Sequence, residues 1–503
     1  MDYQEALEYV FSANKLGIRP GLERMRAIMW AMGQPQERYP IVHIAGTNGK
    51  GSIASYLAHI AAASDFKVGW YTSPYLENFT DRIRILDGRA GLERFEKDFR
   101  DPEIQPEVFA ALVTELRQVV EKQGIERLGV FELITAATYL YFAREQVDIA
   151  IIEVGMGGLY DATNVNSTAL TTVIGALGFD HMDRLGHSLR EIAHHKAGIL
   201  KTGVPLILYD PHNVASSREE GDQVMAEVMR HAEELSVPVT LVRDSDYQQL
   251  PAKKGQRFHY QGEDYQIRLL GDYQCHNACV AIEAARSFAG EAAIKEGLER
   301  AIWPGRLEVL RDQPLILLDG AHNPQGCASL CRELDLLLGD QPAVYLTAMM
   351  RGKDYPRMLD RVFGQRKNKI DSIYCTRTPL PSTLSAGEIA EAAATSLGLP
   401  KNHPRVLASD GSVQNAPEAL TNAVAVSRCS LAQNERASVQ SPVQAYLGPE
   451  LPIYYSDDYK HAGLSALKAA EERKLPLVVF GSLYLVGNIR PVIRQALKSE
   501  ENS

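Results

Sequence analysis

The residues Gly46-Thr47-Asn48-Gly49-Lys50-Gly51-Ser52 have the types and spacing of a phosphate-binding loop. They follow an apolar run at 41–45 and precede a small-residue, leucine-rich segment at 53–63, so we predict a strand, a loop and a helix. Such glycines let backbone N–H groups approach a phosphate, and the helix N-terminus adds positive dipole. Lys50 would pair with terminal phosphates and the Ser52 hydroxyl with Mg²⁺. A glycine-rich turn without a ligand is the alternative, because Gly51 separates Lys50 from Ser52.

Several polar residues follow other predicted strands: Ser73, Glu153, Asp180, His181, Asp319 and His322. Ligands of open α/β sheets bind beyond the carboxyl ends of the strands, where these residues fall. Any one of them alone is better interpreted as a turn residue or a helix cap. A Ser hydroxyl, a Glu carboxylate and a His imidazole together make a plausible Mg²⁺ set, in which imidazole is the least typical ligand. Lys196 lies in a predicted helix, and its alternative interpretation is an exposed surface lysine.

The alternation of apolar runs with helical segments predicts two α/β domains. The first, at 1–304, is a doubly wound domain that carries the phosphate loop, and the second, at 305–503, is a smaller Rossmann-like domain. We predict helices at 106–123, 131–145 and 189–200, a polar loop with a short ribbon at 77–105, and an insertion or mobile loop at 426–460.

Composition excludes several classes of protein. The chain has 503 residues and a net charge of −10, which argues against non-specific binding to nucleic acid or to an anionic membrane. The first residues do not have the pattern of a signal peptide, and no apolar run is long enough to cross a bilayer, so we expect a cytoplasmic protein. The pairs Cys275/Cys279 and Cys327/Cys331 are interpreted as buried helix residues rather than metal ligands.

Ordered motifs along the chain resemble the folylpolyglutamate synthase family, including its bifunctional dihydrofolate synthase form, within the Mur ligase superfamily. They are IRPGLERM at 18–25, HIAGTNGKGS at 43–52, TSPYL at 72–76, DRIRI at 81–85, FELIT at 131–135, EVGMGGLYDATN at 153–164, DHMDRLG at 180–186, HKAGILKTGVP at 195–205, WPGRLE at 303–308 and LDGAHNPQG at 318–326. The resemblance runs from about residue 2 to 345 and more loosely beyond. The glycine between Lys50 and Ser52 is itself a mark of this branch.

The resemblance implies an ATP-dependent amide ligase that phosphorylates a folate or dihydropteroate carboxylate and joins it to L-glutamate. Two Mg²⁺ sites are implied: Ser52 serves the ATP-bound ion, and Ser73, Glu153 and His181 match ligands of the second. Lys196 matches a lysine that is carbamylated in relatives and, with Lys50, is the implied catalytic residue. K⁺ is a further implied cation, and a monomer is expected. ATP contacts are implied for Gly46, Thr47, Asn48, Gly49, Lys50, Gly51, Ser52, Asn277, Arg306, Asp319 and His322.

The acceptor side matches the family less well. Implied acceptor contacts are Gly21, Leu22, Arg82, Phe131, Tyr160, Asp161 and Ala162. Relatives usually have His at the position of Tyr75, Thr at that of Gly129, and Arg-Leu at those of Leu159 and Tyr160. His195 stands where relatives commonly have an acid. Three alternatives therefore stay open: a Mur-type ligase with another acceptor, a P-loop regulatory protein, and a ligase-like pseudoenzyme.

Overall fold

A computed structural model describes residues 1–16, 19–252, 254–400, 403–407, 413–415 and 451–501. The chain forms two compact units, Met1–Trp303 and Pro304–Ser503. Most of the predicted insertion at 426–460 lies outside the described residues. No helix in the described part of the chain combines the length and apolar composition that crossing a bilayer requires.

The first unit is built on a seven-stranded sheet with the order β3-β2-β4-β1-β5-β6-β7. All neighbouring strands are parallel except the edge pair β2 and β3. Both faces are covered by helices, which explains why the central strands are continuous apolar runs. The strands are β1 (Ile41–Ala45), β2 (Lys67–Tyr71), β3 (Ile83–Asp87), β4 (Ile149–Glu153), β5 (Ala169–Ile174), β6 (Leu206–Tyr209) and β7 (Val239–Val242).

Eleven α-helices in the described part of this unit pack around the sheet, beside a small antiparallel sheet. Along β4, Ile151 faces one apolar core and its neighbour Ile152 faces another, as alternation across a strand requires. The helices are α1 (Tyr3–Ser12), α2 (Glu23–Ala31), α3 (Lys50–Ala63), α4 (Gly88–Lys97), α5 (Pro106–Gln123), α6 (Val130–Arg144), α7 (Met182–Leu185), α8 (Leu189–Ala197), α9 (Arg218–Glu234), α10 (Asp272–Ala285) and α11 (Glu291–Arg300). The small sheet contains β8 (Tyr247–Leu250), β9 (Gln256–Tyr260) and β10 (Glu263–Ile267).

Most predicted elements of this unit are confirmed, including α5 at 106–123. The prediction of a polar loop over 77–105 is wrong for 88–97, which form α4. Only Gly91, Leu92 and Phe95 of that helix are buried, so its apolar face is too narrow to stand out among polar residues. Strands β7 to β10 are also absent from the prediction. Strands β8 to β10 carry many polar residues, whereas β7 is apolar but has only four residues.

The second unit is built on an eight-stranded sheet with the order β11-β12-β18-β13-β14-β17-β15-β16. Its core strands are parallel, as the prediction of a Rossmann-like domain requires, and Cys327 and Cys331 are buried. The strands are β11 (Glu308–Asp312), β12 (Leu315–Leu318), β13 (Ala343–Thr347), β14 (Ile370–Cys375), β15 (Arg405–Leu407), β16 (Val413–Asn415), β17 (Ile453–Tyr455) and β18 (Leu477–Phe480). The helices are α12 (Pro324–Leu338), α13 (Tyr355–Leu359), α14 (Ala386–Leu397), α15 (Tyr459–Arg473) and α16 (Leu483–Glu501).

Because two of its histidines are fully buried, we expect the first unit to become less stable in acid. Burial lowers the pKa of His43 to about 3 and that of His59 to about 4. The unfolded chain therefore binds protons below about pH 6.5 that the folded chain does not, so stability is present above that pH and falls as the pH drops. Each histidine contributes a slope of up to about 1.4 kcal/mol per pH unit.

The measurement is the free energy of unfolding between pH 7 and pH 5. The His43→Gln variant should show a shallower dependence than the wild type, whereas His187→Gln, at an exposed position, should not change it. Equal slopes for all three proteins would contradict the assignment.

Candidate active site

The loop between β1 and α3 is anchored to the segment that follows β5. The backbone N–H groups of Thr47 and Asn48 donate to the carbonyl of Ala176 at 2.8 and 3.1 Å. The Thr47 hydroxyl donates to the carbonyl of Gly178 at 2.9 Å and accepts from its N–H at 3.1 Å. These bonds hold the loop at the carboxyl edge of the sheet, where the strand order places it beside β5.

Close packing explains the glycines of this loop. Gly49 has a φ of 83° and is the N-cap of α3, and a Cβ there would lie 2.7 Å from Oδ1 of Asn277. A Cβ on Gly51 would lie 2.6 Å from Cζ2 of Trp303, closer than real Cβ atoms approach. The glycine between Lys50 and Ser52 is therefore where the indole of Trp303 packs against the first turn of α3.

The Gly51→Ala variant is expected to lower the free energy of unfolding by about 1–3 kcal/mol, the usual result of overpacking. Its added methyl meets a rigid ring, and this exceeds the gain of about 1 kcal/mol in helix propensity. Chemical denaturation would measure the change. Trp303→Phe should partly suppress it in a double-mutant cycle.

The matched control is Gly290→Ala, since a Cβ there meets nothing within 4 Å and the φ of Gly290 is −81°. Equal stability of Gly51→Ala and the wild type would contradict the packing argument.

Ser52 is buried and is bonded to helix α10. The side-chain amide of Gln274 donates to Oγ of Ser52 at 3.1 Å, and Nδ2 of Asn277 donates to Oε1 of Gln274 at 3.1 Å. The resemblance implies an ATP contact for Asn277, which stays a prediction, and it does not include Gln274. The signal for Gln274 was its position three residues before Asn277, on the same face of the helix.

A carboxylate and an ammonium group lie beside the loop. Glu153 ends β4 and is 4% exposed, and its Oε1 lies 3.9 Å from Nζ of Lys50. The backbone N–H of Ser73, just after β2, donates to Oε2 of Glu153 at 3.2 Å. Because β2 and β4 are neighbours in the sheet, the tertiary structure brings Lys50, Ser73 and Glu153 together, as their strand-end positions predicted.

Lys196 lies in α8, is 3% exposed, and donates from Nζ to the carbonyl of Gly46 at 2.7 Å. Burial, followed by the charge of Lys50, lowers the pKa of Lys196 well below its usual value, although Asp180 and Asp161 oppose the shift. The interpretation of Lys196 as an exposed surface lysine is therefore wrong. A buried amine with a lowered pKa is available in the neutral, nucleophilic form.

His181 is the N-cap residue of α7 and has a φ of 50°. Its side chain is 46% exposed, and its Nε2 lies 3.8 Å from Oδ2 of Asp180. A positive φ is uncommon for a residue with a Cβ. Residues that adopt such a conformation are concentrated at functional sites. A place for His181 in a metal site stays a prediction.

The carboxylate of Asp161 stabilises the turn after β4. Its Oδ2 accepts from the N–H of Met156 at 2.9 Å, and its Oδ1 accepts from the N–H of Thr163 at 3.0 Å. Burial raises the pKa of Asp161, and these hydrogen bonds oppose the shift. Beside this turn, Ala162 is buried and Tyr160 is 53% exposed.

The remaining acceptor-side residues flank the same edge of the sheet or the N-terminal helices. The ring of Phe131 lies 6.1 Å from that of Tyr71 and fills the space that a side chain on Gly155 would take. Gly21 has a φ of 120°, and the buried Leu22 is the N-cap residue of α2. Whether these positions contact an acceptor stays a prediction.

In the second unit, Asp319 follows β12 and is 5% exposed. Its two carboxylate oxygens accept from the N–H groups of Leu307 at 2.9 Å and Ala321 at 2.8 Å. Burial raises the pKa of Asp319, and the charge of Arg306 opposes the shift. Nδ1 of His322 donates to the carbonyl of Gly320 at 2.8 Å. Asp319 therefore holds together the two segments that carry Arg306 and His322.

Comparison with known proteins matches this architecture to one family. The Mur ligase middle domain matches residues 108–285, and the Mur ligase glutamate ligase domain matches residues 305–430. The folylpolyglutamate synthase of Lacticaseibacillus casei is 35% identical over 383 residues, which cover 72% of this chain and 83% of that protein. This chain belongs to the folylpolyglutamate synthase family.

Two further relatives support this membership. The dihydrofolate synthase/folylpolyglutamate synthase of Bacillus subtilis (strain 168) is 33% identical over 380 residues, which cover 72% of this chain and 82% of that protein. Crystal structures of Mycobacterium tuberculosis folylpolyglutamate synthase, complexed with ADP and AMPPCP, match with a TM-score of 0.73 and 25% identity. That match covers 97% of this chain and 98% of the other. The predicted family and the two-domain α/β fold are thereby confirmed.

Two of the departures from the folylpolyglutamate synthase pattern, Tyr75 and Gly129, have structural roles here. The guanidinium of Arg82, which is 9% exposed, lies 5.0 Å from the ring centre of Tyr75 and 5.2 Å from that of Phe79. Tyr75 therefore gives Arg82 an aromatic partner, which the imidazole usual in this family would supply less well. The N–H of Gly129 donates to the Glu132 carboxylate at 2.6 Å and so begins α6.

Proposed function

We propose that this chain is an ATP-dependent ligase that joins L-glutamate to the carboxylate of a folate-type compound. The observation that carries the proposal is the burial of Lys196 against the carbonyl of Gly46, with Lys50 and Glu153 beside the same loop. A phosphate loop alone would suit many nucleotide-binding proteins. A buried carboxylate and a lysine of lowered pKa, both beside this loop, suit a reaction that transfers a phosphoryl group between anions.

The donor set of this site suits ATP with Mg²⁺. The Ser52 hydroxyl and the buried Glu153 carboxylate are oxygen ligands of the kind that Mg²⁺ prefers. Ser52 would serve the ATP-bound ion, while Ser73, Glu153 and His181 would hold the second. Mg²⁺, when bound, neutralises charge on the phosphates. K⁺ remains a further cation expected from the resemblance.

Lys50 would hold the terminal phosphates and offset the charge that develops when the acceptor carboxylate attacks the γ-phosphorus and the bond from that phosphorus to ADP breaks, so that ADP leaves. The resulting acyl phosphate is attacked by the amine of L-glutamate, and phosphate leaves as the amide forms. Loop residues 46–52 would bind and orient the nucleotide. ATP contacts of Asn277, Arg306, Asp319 and His322 are part of the proposal.

Lys196 is proposed to act as a carbamate. Its neutral amine would attack CO₂, forming an N–C bond and losing one proton, and the product is an anion where the free lysine is neutral or cationic. Burial favours this reaction because it lowers the pKa of the amine. The anion would then lie beside Lys50 and help to hold the second metal ion.

The experiment compares dihydropteroate and tetrahydrofolate as acceptors and measures the mass of the product. ADP formation should require Mg²⁺, L-glutamate and a folate-type acceptor together. ATP turnover with L-glutamate and without any folate compound tested would contradict the folate assignment and favour a Mur-type ligase with another acceptor. Slow hydrolysis without an amide product would favour a P-loop regulatory protein, and no turnover at all a pseudoenzyme.

The expected setting is part of the same proposal. We propose a monomer that acts in the cytoplasm on small molecules and binds neither nucleic acid nor membrane, as the negative net charge suggests. Light scattering after size exclusion would test the monomer, since a dimer would have about twice the mass calculated from the sequence.

A further inference from the structure

Three side chains on helices α8 and α9 bring metal-ligating atoms together. His194 lies in the last turn of α8, and Glu227 and His231 lie four residues apart on one face of α9. Nδ1 of His194 lies 3.1 Å from Oε1 of Glu227 and 3.0 Å from Nε2 of His231. The third distance, from Nε2 of His231 to Oε1 of Glu227, is 3.4 Å. No other such group of three occurs in the described part of the chain.

These distances have the size of a metal coordination polyhedron. A tetrahedral ion with ligand bonds of about 2.0 Å separates its ligand atoms by about 3.3 Å. The three separations of 3.0, 3.1 and 3.4 Å therefore form one face of such a tetrahedron. The fourth position would be open, because an open pocket lined by Ser188, Arg190, Glu191, His194 and Glu227 adjoins the group.

The hydrogen-bond pattern supplies lone pairs at two of the three atoms. The third, Nδ1 of His194, faces the acceptors Oε1 of Glu227 and Nε2 of His231, so it carries a proton here and would release that proton when a metal ion binds. Nη2 of Arg230 lies 2.9 Å from Nε2 of His231 and donates to Oε1 of Glu227 at 2.6 Å. A guanidinium has no acceptor, so Nε2 of His231 must be the acceptor of that bond. A lone pair of His231 and one of Glu227 therefore converge on a cationic N–H group. The group already binds a cation, and that cation is Arg230.

Arg230 can leave this position. Its side chain is 44% exposed, and its other terminal nitrogen, Nη1, donates to Oε1 of Glu234 at 2.6 Å. Meanwhile Nε of Arg190 donates to Oε2 of Glu227 at 3.1 Å, which orients the carboxylate and leaves Oε1 directed at the histidines. Partners that orient a ligand in this way are a regular feature of metal sites.

We propose that Nδ1 of His194, Oε1 of Glu227 and Nε2 of His231 form a binding site for a divalent transition metal ion of the Zn²⁺ class, which displaces Arg230. Two imidazoles and one carboxylate suit Zn²⁺ and disfavour Mg²⁺, which takes oxygen ligands. The ion would link the end of α8 to α9 and so stabilise the region from which Lys196 extends to Gly46. The inference does not depend on which acceptor the enzyme uses.

The test uses the full-length protein, stripped of metals and held in excess Mg²⁺ so that the proposed catalytic sites do not compete. Calorimetric titration with Zn²⁺ should show one equivalent per chain, and Co²⁺ should give the intense visible absorption of a tetrahedral site. Zn²⁺ should also raise the Tm. The His231→Ala variant should bind Zn²⁺ at least about tenfold more weakly and lose the rise in Tm.

The Arg230→Gln variant distinguishes a metal site from an ordinary network of ion pairs. Removing the resident cation should tighten Zn²⁺ binding if Arg230 competes with the metal. His259→Ala is the control, because His259 is an exposed histidine that likewise contacts a carboxylate, with Nδ1 2.7 Å from Oδ1 of Asp264. Three results would each overturn the proposal. They are the absence of stoichiometric Zn²⁺ binding by the wild type, Zn²⁺ binding by Arg230→Gln alone, and equal Zn²⁺ binding by the wild type and His231→Ala.

Discussion

The Lys196→Ala variant is expected to ligate at least about 10²–10³-fold more slowly than the wild type, as when one group that stabilises charge in a transition state is removed. ATP binding should be largely preserved, because the loop keeps its bonds to Ala176 and Gly178. The measurements are the rate of amide formation and the affinity for ATP. Near-normal ligation would remove Lys196 from the mechanism.

One further variant and one chemical rescue distinguish a carbamate from a simple charge. Lys196→Arg keeps a cation but cannot form a carbamate, so it should be as inactive as Lys196→Ala. Added formate or acetate should partly restore Lys196→Ala, because a small carboxylate can occupy the place of the carbamate anion. Recovery by arginine instead would show that the positive charge is what matters.

Lys201→Ala is the matched control for a lysine in the same region. Nζ of Lys201 donates to Oδ1 of Asn164 at 2.5 Å, and burial lowers the pKa of Lys201 to about 8. This variant therefore also removes a half-buried amine, but not one beside the phosphate loop. We expect its ligation rate to stay close to that of the wild type.

The Glu153→Gln variant is expected to lower kcat by about 10²-fold and to raise the Mg²⁺ concentration needed for half-maximal rate by at least about tenfold. Glutamine keeps the size of the side chain and can still accept from the N–H of Ser73, now 3.2 Å from Oε2 of Glu153. What disappears is the buried negative charge beside Lys50. Initial rates measured against Mg²⁺ concentration would test both effects.

Glu132→Gln is the control for the loss of a poorly exposed carboxylate in the same unit. Oε1 of Glu132 lies 3.1 Å from Nη2 of Arg24, and the Glu132 side chain is 12% exposed. Its loss should reduce stability and leave the Mg²⁺ dependence unchanged. A similar shift in both variants would mean that the effect of Glu153→Gln is structural rather than metal-dependent.

The central strands and the loop were predictable because their signals are local. A strand covered on both faces needs a continuous apolar run, and a loop with φ near 83° at Gly49 needs a residue without a side chain. The strand ends also placed Ser73 and Glu153 at one edge of the sheet. By contrast, α4 escaped prediction because few of its residues are buried.

The contacts that shape the site depend on residues far apart in the chain. Gly51 meets Trp303, and Ser52 meets Gln274, which lies 222 residues later. No local pattern reveals which of many helices will supply such a partner. The His194, Glu227 and His231 group was missed for the same reason, since it forms only when α8 packs on α9.

The phosphate loop, the carboxylate at the end of β4 and the family were all predictable from the sequence, because each depends on the residue types and backbone conformation of short segments. Three features appear only in the folded chain: the burial and lowered pKa of Lys196, the packing of Trp303 against Gly51, and the contact of Arg230 with a cluster of metal-ligating atoms. Desolvation and close contact depend on which distant side chains surround a group, and that arrangement exists only once the chain has folded.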